Sequence, residues 1–187
     1  LTSKVDYSKF FDELRRALDW YELLYTGRPC ERWICYFLVF TAELDRSGIK
    51  VFCERLQIMQ RYRDLFNKQR TTALAILARL EKRPDGARSP RSSSLYRWFQ
   101  PLSTEILLFM MTKTTKEPVR QWISFYISHL RDVQPKLTGH DLEQLGITPG
   151  PLFKTILNEL LYACLDERVA TAEEERDFVK MKHFPQP

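Results

Sequence analysis

The chain has 187 residues, an ordinary apolar content and a net charge of +5. Its longest apolar run, Trp33–Phe40, is far shorter than the roughly 20 residues that span a bilayer, and the first residues lack the pattern of a signal peptide. These features argue against a membrane-spanning or secreted protein and lead us to expect a cytoplasmic one. Because no initiator Met is present, we expect a fragment of a longer protein.

Apolar residues with helical spacing predict helices along most of the first half of the chain. The predicted helices cover Asp6–Tyr25, Glu31–Leu44, a shorter stretch from Ile49, and Tyr62–Arg83 as one long helix or two close ones. By composition the second of these could also be a buried strand. Its length and the lack of partner strands favour a buried helix.

The stretch KRPDGARSPRSSS, from Lys82 to Ser94, breaks this periodicity. Its Pro, Gly and Ser residues are typical of an exposed loop. We place an internal boundary here, with a helical body over residues 1–90 and the end of the body plus a tail over residues 91–187. The same pattern also fits a long loop inside a single helical array.

Helical patterns resume after the loop and carry recognisable start signals. The signals are Ser103 as a cap before the apolar run Ile106–Met111, Pro118 in a first turn, and capping boxes of Thr138 with Asp141 and of Thr171 with Glu174. The run Ile106–Met111 predicts a helix that is buried on every side. Since no internal repeat is visible, the sequence predicts an all-α protein, an irregular array of about ten helices.

Positive charge is concentrated in the middle of the chain. Between Arg61 and Gln100 there are ten Lys or Arg residues and three acids, a net charge of +7. This concentration indicates a bound polyanion, although a solvated helix surface explains it equally well. The candidate phosphate contacts around the loop are Lys82, Arg83, Arg88, Arg91 and Arg97.

Aromatic residues stand beside these cations. Tyr96, Trp98 and Phe99 flank Arg97, and aromatic rings interleaved with arginines can stack on unpaired bases. Helical spacing favours core positions for Trp98 and Phe99. Tyr96, which is nearest to the loop, is therefore the candidate for base stacking.

A second candidate site lies at Pro149–Pro151, where a helix is predicted to begin. Gly146 should close the preceding helix in the left-handed conformation. Gly150 has no side chain to block a ligand, and the free amides of Leu152 and Phe153 would form a small anion site. Purely local helix capping is the alternative explanation. The candidate residues of this patch are Lys136, His140, Gly150 and Lys154.

Signals for catalysis or for a bound metal are missing. The sequence has no phosphate-binding glycine loop, no nucleophile elbow and no Asp-x-Asp pair for two metal ions. Glu173–Glu175 fits the first turn of a helix, where the backbone dipole favours negative charge. The four cysteines, which we expect as reduced and partly buried thiols, are Cys30, Cys35, Cys53 and Cys164. We expect no catalytic residue, metal or cofactor in this chain.

The segment LTGHDLEQLGITPGPLFKTILNELLYACLDERVATAEEERDFV, residues 137–179, resembles the tail of bacterial class II tRNA nucleotidyltransferases and poly(A) polymerases. In that family the pattern L-T-G-x-D-L-x-x-L-G-x-x-P-G-P precedes an amphipathic helix and then an acidic helix. The matching positions are Leu137, Thr138, Gly139, Asp141, Leu142, Leu145, Gly146, Pro149, Gly150 and Pro151. The upstream segments LRRALDWYELLYTGRPCERWICYFLVF and SLYRWFQPLSTEILLFMM are similar to the helical body of the larger multidomain members.

This resemblance implies a parent enzyme that extends the 3′ end of tRNA or adds a poly(A) tract, with Mg²⁺ and ATP or CTP bound by an N-terminal head. The Gly-Ser and Asp-x-Asp pairs of the head and the Glu-Asp-x-x-Arg motif of the neck do not occur here. The chain therefore resembles the C-terminal body and tail, which would be inactive alone. It would hold tRNA or another structured RNA mostly through phosphates and sugars.

An all-α scaffold that binds a protein partner through an apolar groove is the alternative interpretation. A large exposed apolar patch would be its structural sign. The sequence indicates neither the oligomeric state nor the surface that faces the RNA.

Overall fold

The computed structural model describes residues 7–84 and 86–183, and within these residues it contains ten continuous helices and no strand. The helices are α1 (Tyr7–Leu23), α2 (Arg32–Phe40), α3 (Arg46–Arg55), α4 (Gln60–Asp64) continued by the π-helical turn π1 (Leu65–Gln69) and by α5 (Arg70–Glu81), α6 (Ser92–Phe99), α7 (Thr104–Lys113), α8 (Glu117–Phe125) continued by the π-helical turn π2 (Tyr126–Leu130), α9 (Gly139–Gln144), α10 (Pro151–Leu165) and α11 (Ala172–His183). The predicted all-α class is confirmed. The predicted helix start at Asp6 and the loop acid Asp85 lie outside the described residues.

The chain divides into two compact units, each of which is made of two segments. The first unit consists of Leu1–Arg88 and Trp98–Phe125, and the second unit consists of Ser89–Arg97 and Tyr126–Pro187. The division groups residues into compact units and does not test where a domain begins or ends. The domain boundary between residues 90 and 91 stays a prediction.

Helix α7 is the centre of the first unit. Residues 104–112 are all buried, and the helix packs against α1, α2, α5 and α8. The Ser103 hydroxyl accepts a hydrogen bond from the Ile106 amide at 3.4 Å. The predicted cap and the all-round burial of Ile106–Met111 are therefore confirmed.

Helix α2 is less buried than its sequence suggests. Leu38 and Val39 are buried, but Phe40 is 59% exposed and Trp33 is 38% exposed. Trp33 instead packs edge-on against Tyr62, with ring centroids 5.0 Å apart. The predicted helix is confirmed over Arg32–Phe40 and its core face is buried, but a second apolar face borders solvent and rings from other helices.

The end of α2 is held by a buried guanidinium group. Arg70 is 3% exposed, and its Nη2 donates to the carbonyl oxygens of Thr41, Ala42 and Leu44 at 3.1, 3.2 and 2.8 Å. Burial lowers the pKa of Arg70. These carbonyls lie just beyond the last turn of α2, and that of Thr41 also accepts from the Leu44 amide at 3.0 Å. One of the ten cations of the basic segment is thus part of the core and unavailable to a ligand.

The core of the second unit is formed by α9, α10 and α11. Its fully buried members are Leu137, Leu142, Ile147, Ile156, Leu160 and Val179. Gly146 adopts a φ of +85°, in the left-handed region where a Cβ would be strained, and its amide donates to the Glu143 carbonyl at 2.8 Å. The predicted closure of α9 at Gly146 is confirmed.

Both predicted capping boxes are present. The Asp141 carboxylate accepts hydrogen bonds from the amide and the hydroxyl of Thr138, at 2.8 and 2.7 Å. The Glu174 carboxylate accepts from the Thr171 amide, and the Thr171 hydroxyl accepts from the Glu174 amide, each at 3.2 Å. These local bonds fix where α9 and α11 begin.

Glu173, Glu174 and Glu175 lie in the first turn of α11, as predicted, and Glu175 has a further role. Its side chain is 1% exposed and accepts hydrogen bonds from the amides of Lys136 and Leu137 at 2.9 to 3.0 Å. The Cys164 thiol also donates to it at 3.3 Å. Glu175 therefore ties the segment before α9 to α10 and α11, a role that its place in the first turn did not indicate.

Candidate nucleic-acid interface

The loop cations of the first unit differ in exposure. Lys82 and Arg88 are exposed, whereas Arg83 is half-buried. An Nη2 of Arg83 donates to the Arg88 carbonyl at 2.6 Å, and its guanidinium lies over the Trp122 ring at 5.8 Å. Lys116 donates from Nζ to the Arg83 carbonyl at 3.0 Å. Arg83 therefore helps to shape the loop, while Lys82 and Arg88 present their charge to solvent.

In the second unit, the position of α6 is fixed by Asp166, which follows α10. The amide and the hydroxyl of Ser93 donate to the Asp166 carboxylate at 2.9 and 2.8 Å. The exposed Arg97 lies over the Tyr162 ring at 5.2 Å, and Arg91 is exposed just before the helix. These contacts hold two exposed cations on one short stretch of chain.

Tyr96 is half-buried and packs against Tyr126. The two ring centroids are 6.0 Å apart, with an interplanar angle of 68°. Of its neighbours, Phe99 is fully buried, as expected for a core residue, and Trp98 is half-buried with Arg79 over its ring at 4.8 Å. Base stacking by Tyr96 stays a prediction, and it would require a ring face that Tyr126 does not cover.

The second predicted patch lies around the starts of α9 and α10. A Cβ added to Gly139 would lie 3.4 Å from Cδ2 of Phe153, so the two helices approach closely here. The contact brings together the segments that carry His140 and Lys154, both of which are exposed. Lys136 is exposed as well, but its Nζ donates to the Ala170 carbonyl at 2.7 Å.

The start of α10 offers fewer free amides than predicted. The Phe153 amide donates to the Gly150 carbonyl at 3.0 Å, which corrects the expectation that it is free for an anion. Gly150 itself is exposed, and a Cβ there would meet nothing within 4 Å. The contribution of Gly150 to RNA binding stays a prediction.

A negative charge also belongs to this patch. The hydrogen bonds from Thr138 lower the pKa of Asp141, because they favour its ionised form. Arg176 lies 3.9 Å from the same carboxylate. A second acid, Glu143, lies 3.8 Å from the His140 ring, so Lys154 is the member of the patch for which the structure shows no acidic neighbour among the described residues.

Several clefts in the first unit lie outside every predicted site, and two of them differ sharply in character. One, of about 350 Å³, is lined by Phe11, Tyr36, Phe37, Phe40, Phe52 and Leu56. The other, of about 340 Å³, is basic and is lined by Arg46, Lys50, Cys53, Glu54, Gln60, Arg63 and Asn67. The sequence carried a signal for the second cleft, since Arg46 and Lys50 are four residues apart on one helix, but the basic segment was taken to begin only at Arg61.

The four cysteines and the possible metal ligands add no candidate site to the described part of the chain. Cys30, Cys35, Cys53 and Cys164 are free thiols, and burial, with the hydrogen bond to Glu175, raises the pKa of Cys164 to about 12. In the described part of the chain no three His, Cys, Asp or Glu side chains are grouped so that they could hold a metal ion. None of the described helices has the length and apolarity needed to cross a membrane.

Comparison with known proteins decides the family. The A-adding tRNA nucleotidyltransferase of Geobacter sulfurreducens is 35% identical to the chain over 164 residues, which are 88% of the chain and 19% of that protein. The chain belongs to the tRNA nucleotidyltransferase family. It spans about a fifth of the length of the curated nucleotidyltransferases that it matches.

Further relatives agree with this placement. The A-adding tRNA nucleotidyltransferase of Halalkalibacterium halodurans is 34% identical over 86 residues, which are 40% of this chain and 19% of that protein. The one of Aquifex aeolicus is 24% identical over 135 residues, which are 72% of this chain and 15% of that protein. No protein-family model matches this member of the nucleotidyltransferase family.

A solved structure supports the helical fold of this chain. It is a CCA-adding enzyme in complex with ATP, which matches the chain with a TM-score of 0.66 at 19% sequence identity. The match covers 98% of the chain and 42% of that structure. At this level of identity the likeness concerns the fold.

Proposed function

We propose that the chain is the non-catalytic, RNA-binding C-terminal part of a nucleotidyltransferase that adds CCA or a terminal A to tRNA, or of a poly(A) polymerase. The observation that carries this proposal is the 35% identity, over 88% of the chain, to an A-adding tRNA nucleotidyltransferase of which the chain spans only 19%. The motifs of catalysis do not occur in the chain. The chain holds the tRNA body while a separate head domain, with Mg²⁺ and ATP or CTP, extends the 3′ end, and it is inactive alone.

The exposure of the predicted cations supports a role in RNA binding. Those that the structure leaves exposed are Lys82, Arg88, Arg91, Arg97, Lys136 and Lys154. Flexible, solvent-facing Lys and Arg side chains suit phosphate oxygens, and their attraction to a polyanion is strengthened by the release of counterions from the RNA. Such contacts recognise the shape of a folded RNA more than its sequence.

Reversal of the two loop charges tests the proposal. We expect the double variant Arg88→Glu, Arg91→Glu to bind tRNA about tenfold more weakly than the unmodified chain, because two phosphate contacts are lost and replaced by repulsion. The slope of log K against log salt should become shallower by roughly 1.5, at 0.7 to 0.9 per contact. Filter binding with labelled tRNA at several salt concentrations measures both quantities.

A matched control separates local contacts from the overall change in charge. The double variant Arg15→Glu, Lys180→Glu makes the same change at two exposed cations that belong to neither predicted patch. It should keep most of the affinity and the original slope. Equal losses in the two double variants would show that the loop makes no special contact with the RNA.

The apolar cleft favours a second candidate function, a scaffold for a protein partner. Its lining includes Phe40, which is 59% exposed, and Leu56, which is 51% exposed. Exposed apolar surface of this kind is typical of protein-binding sites. A chain that retains no tRNA on a filter at low salt would favour this function over RNA binding.

A further inference from the structure

The basic cleft of the first unit is built from two helical stretches. Arg46 and Lys50 stand one turn apart on α3, and Arg63 and Asn67 stand one turn apart where α4 passes into π1. In a helix, residues four apart lie on the same face, so each stretch turns two polar side chains toward the cleft. π-helical turns are frequent at functional sites, and Asn67 lies within one.

Arg63 is held in place by contacts within the cleft wall. Its Nε donates to the Ile58 carbonyl at 3.0 Å, and Nδ2 of Asn67 donates to the Arg63 carbonyl at 2.8 Å. The Ile58 amide in turn donates to the Cys53 carbonyl at 2.9 Å, which fixes the turn between α3 and α4. These bonds use one guanidinium N–H, and in the described residues the other four have no acceptor. A pre-positioned guanidinium with unused donors suits a phosphate group.

The charge of the cleft is uncompensated. Arg46, Lys50 and Arg63 face a single acid, Glu54, and among residues 7–84 and 86–183 none of the three cations forms an ion pair. Burial raises the pKa of Cys53, so its thiol adds no negative charge. With Glu54 counted, the lining of the cleft carries a net charge of about +2, which no ion pair in the described residues neutralises.

Some other cations of the first unit are paired. Arg32 forms an ion pair with Glu22, and Arg120 pairs with Glu13 and Glu117. Lys113 pairs with Glu43 at 3.4 Å. What distinguishes the cleft is that it gathers three cations without ion pairs in the described residues around a single cavity of about 340 Å³.

We propose that the cleft formed by Arg46, Lys50 and Arg63 binds a backbone phosphodiester of the RNA. This inference rests on the proposed function and adds a contact that lies outside both predicted patches. The shared chemistry is a phosphate group, which a free phosphate or nucleotide also carries. We assign RNA as the source because Arg46 and Lys50 are exposed and hydrated, so a single phosphate gains little from them, whereas a polyanion also gains from counterion release.

The test measures tRNA binding by the purified protein over a range of salt concentrations. The double variant Arg46→Glu, Lys50→Glu should lose about tenfold in affinity and should flatten the log–log salt slope by roughly 1.5. Arg63 is left unchanged because its Nε bond to Ile58 is structural. The variant Arg15→Glu, Lys180→Glu serves again as the control for net charge, and thermal melting by circular dichroism checks that each variant is folded.

A second variant, which should increase the affinity for tRNA, distinguishes a loss of positive charge in the cleft from a loss of structure. Glu54→Gln removes the one acid of the cleft, so it should raise the affinity for tRNA about twofold. Asp19→Asn makes the same change at an exposed position on α1, away from the cleft, and should leave the affinity unchanged. Increased binding in Glu54→Gln together with decreased binding in the double reversal supports the proposal, since unfolding cannot produce both.

Three results would overturn the proposal. If the cleft variants bind tRNA like their controls while the unmodified protein binds it in a salt-dependent way, the cleft is not an RNA contact and the proposed function stands. If the unmodified protein retains no tRNA at low salt, both fail. If the double reversal abolishes binding of inorganic phosphate or ATP, measured by calorimetry, but leaves tRNA binding intact, the cleft is a site for a free phosphate compound.

Discussion

Replacement of Glu175 by Ala should lower the free energy of unfolding by about 3 kcal/mol, because two buried amides lose their acceptor. The amides belong to Lys136 and Leu137, and both donate to the Glu175 carboxylate in the structure. Each buried donor left without a partner costs roughly 1 to 3 kcal/mol, and the cavity adds to the loss. Urea unfolding followed by circular dichroism measures the change.

The neighbouring glutamates provide graded controls for this prediction. Glu174→Ala removes the exposed carboxylate that accepts from the amides of Ala170 and Thr171, so we expect a loss of about 1 kcal/mol. Glu173→Ala, at an exposed position in the same turn, should cost less than about 0.5 kcal/mol. If the three variants were equally stable, the buried carboxylate would not be holding the segment before α9.

Replacement of Arg70 by Met should lower the free energy of unfolding by a similar amount, about 3 kcal/mol or somewhat more. Met fills much of the same volume but cannot donate to the carbonyl oxygens of Thr41, Ala42 and Leu44. These acceptors are backbone groups that no substitution removes, so they stay buried and lose a charged donor. The same unfolding measurement applies.

Lys68, two residues earlier in the chain, is the control position for Arg70→Met. Lys68 is exposed in π1, and Lys68→Met should change the stability by less than about 0.5 kcal/mol. A variant Arg70→Met as stable as the unmodified protein would mean that water reaches and satisfies the carbonyl groups at the end of α2.

The sequence was a good guide wherever local interactions decide the structure. The capping boxes of Thr138 and Thr171, the left-handed Gly146 and the apolar run of α7 could be read from neighbouring residues, and the structure confirms them. Helical spacing predicted one long helix or two close ones over Tyr62–Arg83, and the structure has one continuous helix from Gln60 to Glu81 with a π-helical turn inside it.

The roles of charged residues depend on partners distant in sequence, so composition could not reveal them. Arg70 was counted with the basic segment, although its acceptors lie 26 to 29 residues away on the end of α2 and it is buried. Glu175 resembled two surface glutamates, although its donors lie 38 and 39 residues upstream. A sequence count records the number of charges but not which of them face solvent.

The sequence predicts only part of the candidate interface, because the rest depends on contacts between residues distant in sequence. Lys82, Arg88 and Arg91 are exposed, as a loop of Pro, Gly and Ser suggests. The helix start at Pro151 predicts a free amide at Phe153, but a tight turn pairs this amide with the Gly150 carbonyl. The spacing of Arg46 and Lys50 indicates half of the basic cleft, but the other half depends on the packing of α3 beside π1, which spacing within one helix does not show.

The most direct test of the central claim, that this chain grips a folded RNA through its phosphates, is the salt dependence of tRNA binding by the unmodified chain. With about five or more phosphate contacts, log K should fall linearly with log salt with a slope of roughly −4 or steeper. A binding curve indifferent to salt, or no retention of tRNA at low salt, would contradict the claim.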